Sequence, residues 1–248
     1  MDKKALITGA SEGIGNAFAG RLSQEGYSII GVARNESKLK ELVQTIGQKH
    51  SYIVADLSTE AGQLRVAQEL NSNHYDLLVN NAGVGIIGAF AETSIDKQIA
   101  MMRLNCEAVV RLAHAYLKNA KPGDALINIS SAVAFTPIAS FGLYCATKAF
   151  VTSFSESLWF EQKSKGVFVM GFCPGITSSN FQVNAGGKVE DLPKNMAQTP
   201  EMVVANALQA LASRKQPTVI SGMRNWIFAN ISRVMSRKSL VNMLGKMM

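Results

Sequence analysis

The stretch KALITGASEGIGNAF, residues 4–18, joins a short apolar run to a glycine-rich turn and the start of a helical pattern. The run KALIT predicts a first β-strand, and a helix is expected to begin near Ile14. Gly9, Gly13 and Gly15 allow a tight turn and a close approach of the backbone, and the helix N-terminus offers free N–H groups to an anion such as a pyrophosphate. A glycine-rich turn between a strand and a helix is also often only a turn. The rest of the sequence must therefore show whether this turn binds a pyrophosphate.

The rest of the chain repeats this alternation of apolar runs and helical patterns. Strands are predicted at residues 4–8, 27–33, 51–55, 76–80, 125–130, 167–173 and 218–221. Most of these runs are continuously apolar, as strands buried on both faces are, and helical periodicity fills the intervals between them. The sequence therefore predicts an α/β fold, a Rossmann-like doubly wound parallel sheet of about seven strands with helices on both faces.

The composition is that of an ordinary globular protein, with 248 residues, 47% of them hydrophobic and 17% charged. No run of about 18 apolar residues is present, and the apolar run before Thr8 is too short for a signal peptide. The cysteines, Cys106, Cys145 and Cys173, have neither a disulfide-framework spacing nor a metal-ligand spacing. We therefore expect a cytoplasmic protein without a metal site.

The net charge of +7 is confined to the C-terminal part of the chain. Residues 1–201 hold 18 basic and 18 acidic side chains, whereas residues 202–248 hold seven basic side chains and no acidic one. The seven are Arg214, Lys215, Arg224, Arg233, Arg237, Lys238 and Lys246. This distribution argues against a nucleic-acid-binding surface on the main body of the protein.

The end of the second predicted strand carries a cation rather than an acid. NAD-binding domains of this architecture usually place an acid there for the ribose 2′-hydroxyl, whereas an arginine accommodates the 2′-phosphate of NADP. The strand ends Val32-Ala33-Arg34-Asn35, and Lys38 follows one helical turn later. We expect Arg34 to favour NADP(H); the plainer alternative is a surface arginine at a strand end.

The stretch GLYCATKAF, residues 142–150, places Tyr144 four residues before Lys148. On a helix these positions share one face, with their Cβ atoms about 5–6 Å apart. An ammonium group at this distance, together with the positive charge of an oxidised nicotinamide, favours the phenolate and is expected to lower the tyrosine pKa from its usual value of about 10. Such a pair also occurs by chance in many helices, so its meaning depends on the other motifs.

Taken together, these motifs resemble those of the compact, single-domain short-chain dehydrogenases/reductases. The matching segments are TGASEGIG (8–15), Asp56-Leu57 after the third strand, NNAG (80–83), LNCEA with Asn105, NISS (128–131) and PGITS (174–178). Ser131 precedes Tyr144 by thirteen residues, which is the family's interval, and Tyr144-x3-Lys148 matches its catalytic pair. The similarity runs from about residue 4 to residue 222, with the motifs in the family's order.

The resemblance implies a set of site residues. The catalytic residues that it implies are Asn105, Ser131, Tyr144 and Lys148. The cofactor-binding residues that it implies are Gly9, Ser11, Glu12, Gly13, Ile14, Gly15, Arg34, Asp56, Leu57, Asn80, Ala82, Gly83, Tyr144, Lys148, Pro174, Gly175 and Thr177. Glu12 departs from NADP-preferring relatives, which often carry a basic residue there, so the preference for a 2′-phosphate rests largely on Arg34.

In the mechanism that the resemblance implies, the nicotinamide gives the hydride, and Tyr144 is the acid in ketone reduction and the base in alcohol oxidation. Ser131 would hydrogen-bond the substrate oxygen and stabilise its growing charge. Lys148 would make the tyrosine acidic and help to hold the nicotinamide ribose, and Asn105 would hold a water or backbone link from Lys148 to solvent. The alternative is a non-catalytic NADP-binding regulatory or scaffold protein of the same fold.

The residues that flank the serine and tyrosine are mostly apolar, which favours a small hydrophobic ketone, aldehyde or alcohol over a sugar as the substrate. They are Ala132, Val133, Ala134, Phe135, Pro137, Ile138, Phe141 and Leu143. Phe181 and a loop at 182–199, which relatives use as a lid, would complete the site. The alternative is that several of these residues pack in the core or at a subunit interface.

We expect one catalytic domain over residues 1–222, with its substrate loop at about 180–199, and a basic tail over residues 223–248. Apolar residues in the tail recur near helical spacing, which predicts an amphipathic helix. Such a helix can lie on an anionic membrane surface, cover the substrate cleft or contact another subunit, and the sequence leaves all three open. The resemblance also implies a homo-oligomer, a dimer or a tetramer.

Overall fold

The computed structural model describes residues 3–187, 197–232 and 234–245, and within them one parallel sheet has the strand order β3-β2-β1-β4-β5-β6-β7. The strands are β1 (Lys4–Thr8), β2 (Ser28–Ala33), β3 (Ser51–Val54), β4 (Leu77–Asn80), β5 (Ala125–Ile129), β6 (Phe168–Cys173) and β7 (Thr218–Ile220). All six neighbouring pairs are parallel. The prediction of a Rossmann-like doubly wound sheet is confirmed.

Helices connect the strands within the described residues and continue after the last one. They are α1 (Gly13–Gln24), α2 (Glu36–Ile46), α3 (Glu60–Ser72), α4 (Ile95–Met102), α5 (Ala108–Asn119), α6 (Gly142–Gln162), α7 (Phe181–Asn184), α8 (Pro200–Ser213), α9 (Met223–Ile231) and α10 (Arg237–Gly245). A π-helical turn (Arg103–Glu107) joins α4 to α5, and a 3₁₀ turn (Ala132–Phe135) follows β5. Within the described residues, no helix combines the length and apolar character needed to cross a bilayer.

Local sequence explains where several helices begin. The side chains of Asn35, Thr59 and Thr199 accept hydrogen bonds from the backbone N–H groups of Lys38, Gly62 and Met202, respectively. These N-caps satisfy donors that have no partner within the first turn of a helix. Pro200 at the start of α8 has no N–H to satisfy and is preset to the helical φ.

The core consists of two apolar layers, one on each face of the sheet. Successive strand residues point to opposite faces, so Leu6 lies in one layer and Ile7 in the other. Phe18 of α1, Leu39 of α2 and Val203 of α8 pack against the layer that contains Ile7. Val66 of α3, Leu112 of α5 and Leu158 of α6 pack against the layer that contains Leu6. Both faces of the sheet are therefore covered.

The strand order reverses at β1, whose neighbours are β2 and β4. The connections from β1 run outward to β2 and β3, whereas those after β4 run the other way to β5, β6 and β7. At such a switch point the loops that leave the carboxyl ends of adjacent strands diverge and open a crevice. The loops after β1 and β4 contain TGASEGIG and NNAG, so the fold itself brings these two motifs together.

The C-terminal tail differs from the single amphipathic helix that the sequence predicts. Its described residues form two helices, α9 and α10, and serines favour the break between them. The hydroxyl of Ser232 donates to the carbonyl of Ala229 at the end of α9, and the hydroxyl of Ser236 accepts from the N–H of Ser239 at the start of α10. In the predicted substrate loop, α7 lies within the described residues, and residues 188–196 lie outside them.

Candidate active site

A cavity of about 930 Å³ opens at the carboxyl ends of the strands, and segments that follow β1 to β6 line it together with α9. Every predicted site residue lines this cavity except Gly15, Asn80 and Asn105. The structure thus brings together residues that are up to about 170 positions apart in the sequence, as the switch-point geometry requires.

The turn between β1 and α1 has a shape that only glycine permits. Gly9 (φ +68°) and Gly13 (φ +56°) adopt left-handed conformations. A Cβ on Gly9 would lie 2.8 Å from Asn81 Nδ2, and a Cβ on Gly15 would collide with the carbonyl group of Gly9. The N-cap residue Glu12 makes no side-chain hydrogen bond to the first turn of α1, so the N–H groups of that turn are available to an anion in the cavity.

Thr8 and Asn81 tie the two loops of the switch point together. The hydroxyl of Thr8 accepts from the backbone N–H groups of Asn81 and Ala82, both at 2.9 Å. Asn81 Nδ2 in turn donates to the carbonyl of Thr8 at 2.9 Å. Asn81 lines the cavity although the sequence-based set omits it. The alternation of side chains along a strand could have identified Asn81. Adjacent residues at a strand end face opposite sides, so Asn80 and Asn81 cannot both face the cavity.

Asn80 lies beneath the cavity rather than in its wall. Its Nδ2 donates to Asn128 Oδ1 at 3.0 Å, and Asn128 Nδ2 donates to the hydroxyl of Ser155 at 3.0 Å. This buried chain of polar groups joins β4 and β5 to α6. The Asn80 side chain therefore does not line the cavity, and its amide helps to hold the sheet to the helix.

Basic side chains line the end of the cavity beyond β2. Arg34 and Lys38 are exposed there, and Lys38 Nζ forms an ion pair with Glu12 Oε2 at 2.8 Å. Glu12 also accepts hydrogen bonds from the side-chain amides of Asn180 (3.3 Å) and Asn184 (3.4 Å). The hydrogen bond from Lys38 lowers the pKa of the Glu12 carboxyl. Glu12 thus joins the glycine turn to both α2 and α7.

Ser131, Tyr144 and Lys148 meet at the opposite end of the cavity. Ser131 follows β5 and accepts a hydrogen bond from the N–H of Val133, which begins the 3₁₀ turn. Tyr144 lies in the first turn of α6, and Lys148 follows one turn later with its Nζ 5.7 Å from the centroid of the Tyr144 ring. Ser131 also lies close enough to the Tyr144 phenol to lower its pKa.

Burial dominates the titration of this pair. It raises the pKa of the Tyr144 phenol above its usual value, and the nearby Ser131 side chain lowers that pKa only in part. Burial also lowers the pKa of the Lys148 ammonium to about 8. Among the protein groups, desolvation of the phenolate therefore outweighs those that favour it, and Lys148 by its own charge does not bring the Tyr144 pKa below its usual value. Tyr144 keeps its proton at neutral pH.

Lys148 is anchored at both its ends. Its Nζ donates to the carbonyl of Ile129, the last residue of β5, at 2.9 Å. Its own carbonyl accepts hydrogen bonds from the hydroxyls of Ser130 (2.7 Å) and Thr152 (3.1 Å). These contacts fix the ammonium relative to β5, although the sequence pattern identified neither Ser130 nor Thr152 as a support.

Asn105 lies behind Lys148, within the π-helical turn, and is 1% exposed. Its Oδ1 accepts from the N–H of Val84 at 3.0 Å, and its Nδ2 donates to the carbonyl of Val84 (2.9 Å) and the hydroxyl of Thr147 (3.1 Å). A Cβ on Gly83 would lie 3.2 Å from Asn105 Oδ1 and 3.3 Å from Lys148 Nζ. In this geometry Asn105 positions the loop after β4 against α6 instead of reaching the cavity.

The cavity next to Tyr144 is walled by apolar side chains. The Phe141 ring stacks on the Tyr144 ring with centroids 4.3 Å apart, and the Phe181 ring lies 5.5 Å from it. Further apolar residues that line the cavity are Val84, Ile87, Leu104, Ala132, Val133, Ile138, Ile176 and Phe228. Of the flanking residues that the sequence associated with the substrate, Ala134, Phe135, Pro137 and Leu143 do not line the cavity.

The residues present fit a nicotinamide dinucleotide. The glycine turn leaves a cradle that a Cβ would fill, and it places helix N–H groups where a pyrophosphate needs donors. Gly13 and Ile14 would hold the pyrophosphate, and Arg34 and Lys38 would lie at the adenosine ribose. The segment Pro174–Thr177, together with Tyr144 and Lys148, would hold the nicotinamide end.

Comparisons with known proteins agree with this geometry. A family model described as short chain dehydrogenase matches residues 3–189. The 7β-hydroxysteroid dehydrogenase of Mediterraneibacter gnavus is 31% identical over 230 residues, which cover 89% of this chain and 86% of that protein. The serine 3-dehydrogenase of Agrobacterium fabrum is 30% identical over 231 residues, which cover 90% of this chain and 93% of that protein. A short-chain dehydrogenase structure from Sphingobium yanoikuyae in complex with NADPH has a TM-score of 0.84 and 29% identity, covering 94% of this chain and 93% of that chain.

Proposed function

The chain belongs to the short-chain dehydrogenase/reductase family, and we propose that it is an NADP(H)-dependent enzyme that interconverts a hydrophobic ketone or aldehyde and its alcohol. As a member of this family it is an oxidoreductase that acts on CH–OH groups with a nicotinamide cofactor. The observation that carries the proposal is that Ser131, Tyr144 and Lys148 meet in the cavity whose other end is the glycine turn.

The three side chains divide the chemistry at the substrate oxygen. A bound nicotinamide supplies the hydride for reduction and accepts it in oxidation. The Tyr144 hydroxyl donates its proton to the carbonyl oxygen, and the phenolate takes that proton back in oxidation. Ser131 donates a hydrogen bond to the same oxygen and stabilises the negative charge that develops there. The Lys148 ammonium, 5.7 Å from the Tyr144 ring, stabilises the phenolate that proton transfer leaves.

Replacement of Tyr144 tests this assignment. Tyr144→Phe removes the acid but keeps the ring, so turnover of hydrophobic ketones with NADPH should fall by about 10²–10⁴-fold while NADPH binding persists. The control is Tyr52→Phe, which removes an exposed hydroxyl bonded to Glu36 and should leave the rate unchanged. Full turnover by Tyr144→Phe contradicts the assignment. NADPH binding by the wild type without turnover of any ketone, aldehyde or diketone favours the regulatory alternative.

The preference for NADP(H) is supported by the charges beyond β2. Arg34 and Lys38 line that end of the cavity, and both would attract a 2′-phosphate. Arg34→Asp should weaken NADPH binding by about tenfold or more and leave NADH binding nearly unchanged. Glu12→Gln removes the anion that pairs with Lys38, so it should change NADPH affinity in the opposite direction. An equal loss of NADPH and NADH binding in Arg34→Asp contradicts this role of Arg34.

The preference for a hydrophobic substrate is supported by the wall around Tyr144. The rings of Phe141 and Phe181 lie against the phenol, Phe228 lines the same cavity, and most other apolar side chains of the cavity are aliphatic. An apolar wall gains free energy in proportion to the apolar substrate area that it removes from water, whereas sugar hydroxyls would lose hydrogen bonds to water without replacement. A substrate panel of graded hydrophobicity should therefore show kcat/KM rising with apolar surface; a preference for sugars or serine contradicts this part of the proposal.

A further inference from the structure

The outward side of α9 exposes large apolar side chains. Met223 is 72% exposed, Trp226 is 52% exposed and Ile227 is 56% exposed. Their spacing of three and four residues places them on one side of the helix, and we call them the α9 outer face. Single exposed apolar residues are ordinary on protein surfaces, whereas a cluster on one helix face indicates a contact surface.

The opposite side of α9 already holds the helix in place. Ala229 is buried, and Asn225 and Phe228 line the main cavity. The Asn225 side chain lies against Gly175 and donates to the carbonyl of Ser221 at 2.5 Å. Because these inward contacts fix α9, packing among the residues that the structure describes does not account for the exposure of Met223, Trp226 and Ile227.

The segment of the chain that contains the α9 outer face carries charged side chains of one sign. Residues 202–248 contain seven basic side chains and no acidic one, while the rest of the chain is balanced. Arg237 and Lys238 are exposed at the start of α10, which follows α9 directly. A segment that exposes apolar side chains and a tryptophan and whose charged residues are all basic is complementary to an anionic lipid surface, where lysines and arginines are attracted to headgroups and tryptophan partitions to the interface.

We propose that the α9 outer face, with Arg237 and Lys238, binds the surface of an anionic phospholipid bilayer. A second copy of the chain is a poorer occupant, because a two-fold contact sets the same basic surface against itself. An anionic bilayer neutralises those charges and removes Met223, Trp226 and Ile227 from water at the same time. The binding is peripheral, through a helix that lies on the surface.

Docking in this way places the substrate end of the cavity near the bilayer, because Asn225 and Phe228 belong to the same helix as the outer face. A lipophilic carbonyl compound dissolved in the membrane then has a short route to Tyr144. This consequence rests on the proposed function, whereas bilayer binding itself does not. A vesicle-binding measurement therefore separates failure of the docking surface from failure of the enzymatic assignment.

The chain has two tryptophans, and this allows a direct measurement. Trp159 is partly buried against the core, so the conservative Trp159→Phe variant leaves Trp226 as the only tryptophan and as a reporter on the α9 outer face. We expect its emission to shift to the blue, and the protein to co-sediment, with vesicles of phosphatidylcholine mixed with phosphatidylglycerol. Phosphatidylcholine vesicles alone should bind much less, and added salt should reverse the binding.

Variants assign the binding to this surface. Met223→Asn/Ile227→Asn should weaken partitioning to the mixed vesicles by about tenfold or more. Arg237→Gln/Lys238→Gln should weaken it by about twenty-five-fold, at about fivefold for each charge. The control is Phe160→Asn, which removes a 73% exposed aromatic of α6 and should bind as the wild type does. Circular dichroism and NADPH titration verify that each variant is folded.

Two outcomes overturn the proposal. One is a wild-type protein that fails to co-sediment with the mixed vesicles, or binds them no better than phosphatidylcholine alone. The other is a concentration-dependent dimer in sedimentation velocity that Met223→Asn/Ile227→Asn abolishes, with no vesicle binding, which assigns the α9 outer face to a second copy of the chain.

Discussion

At the scale of single residues, Lys148 is a cation held where water barely reaches it. The side chain is 5% exposed, and burial lowers the pKa of its ammonium to about 8. In the unfolded chain a lysine has a pKa of about 10.4. Between the folded and unfolded pKa values, the unfolded state therefore binds more protons than the folded state. The contribution of Lys148 therefore makes the free energy of unfolding increase as the pH rises from about 8 to about 10.4. Below this range the buried charge lowers the stability of the fold.

Lys148→Met tests this balance between stability and function. Near neutral pH the variant should be more stable than the wild type by about 1–3 kcal/mol, because a buried charge is replaced by an apolar chain of similar length. This advantage should shrink as the pH is raised to about 9.5, since the wild type is then relieved of the charge. Urea unfolding at several pH values measures both effects, and ketone reduction should be lost.

The control for that series is Lys118→Met, which replaces an exposed lysine of α5. Its stability should differ little from the wild type at every pH. A Lys148→Met variant that is less stable at neutral pH, or whose advantage does not vary with pH, contradicts the argument. The first outcome would mean that the hydrogen bond from Nζ to the Ile129 carbonyl outweighs the desolvation of the charge.

A site residue could be predicted from the sequence when its role depends on a local spacing, and could not when its role depends on contacts with distant parts of the chain. Tyr144 and Lys148 act through a spacing along one helix, and a spacing can be read from sequence. Asn80 and Asn81 are adjacent, yet one amide joins β4 to β5 while the other faces the cavity. Their roles differ because the side chains of adjacent residues at the end of β4 point in opposite directions. The motif NNAG does not say which of the two asparagines points into the cavity.

At the scale of elements, α1 contains two glycines, Gly15 and Gly20, that differ in the space available for a side chain. A Cβ on Gly15 would collide with the carbonyl group of Gly9, whereas a Cβ on Gly20 would meet nothing within 4 Å. Gly15→Ala should therefore lower stability by about 2 kcal/mol or more and weaken NADPH binding, because the turn must open. Gly20→Ala should raise stability by about 0.5–1 kcal/mol, since alanine is the better helix former.

Urea unfolding and NADPH titration of the two variants decide the matter. The helix is the same, so propensity changes equally in both, and any difference between them reports on the close approach at Gly15. Equal stabilisation by both substitutions would show that the turn has room for a side chain. The motif TGxxxGxG predicts that glycine is needed at position 15, and only the structure shows that the obstacle is the backbone of Gly9.

The tail shows where element-level prediction fails. Helical periodicity over residues 223–248 indicates the apolar faces but not the break between α9 and α10, because periodicity is insensitive to one non-helical turn. Ser232 and Ser236, whose hydroxyls bond to nearby backbone groups, are the local cause of the break. The contact of Asn225 with Gly175 spans 50 positions, and no local pattern predicts it.

For the whole molecule, the alternation of strands and helices predicted the parallel sheet, since each buried strand has a simple sequence signature. The strand order did not follow from that signature, because it depends on the direction in which each connection packs. Order then decides the site, for it places the loops of β1 and β4 side by side at the switch point. The motif of each loop can be recognised in the sequence by itself. The hydrogen bonds of Thr8 that join the two loops cannot be predicted from either motif.

A ligand that spans this switch point should stabilise the entire fold. The cavity is lined from the ends of β1 to β6, so these segments must be assembled for the cofactor to bind, and the unfolded chain cannot bind it. At a hundredfold excess over Kd, binding to the native state alone adds about 2.7 kcal/mol. For a chain of this size we therefore expect NADPH to raise the Tm by about 5–10 °C, and NADH at the same concentration to raise it less. Thermal scans of Gly20→Ala should retain this shift and those of Gly15→Ala should lose most of it; equal shifts with NADPH and NADH would contradict the preference for a 2′-phosphate.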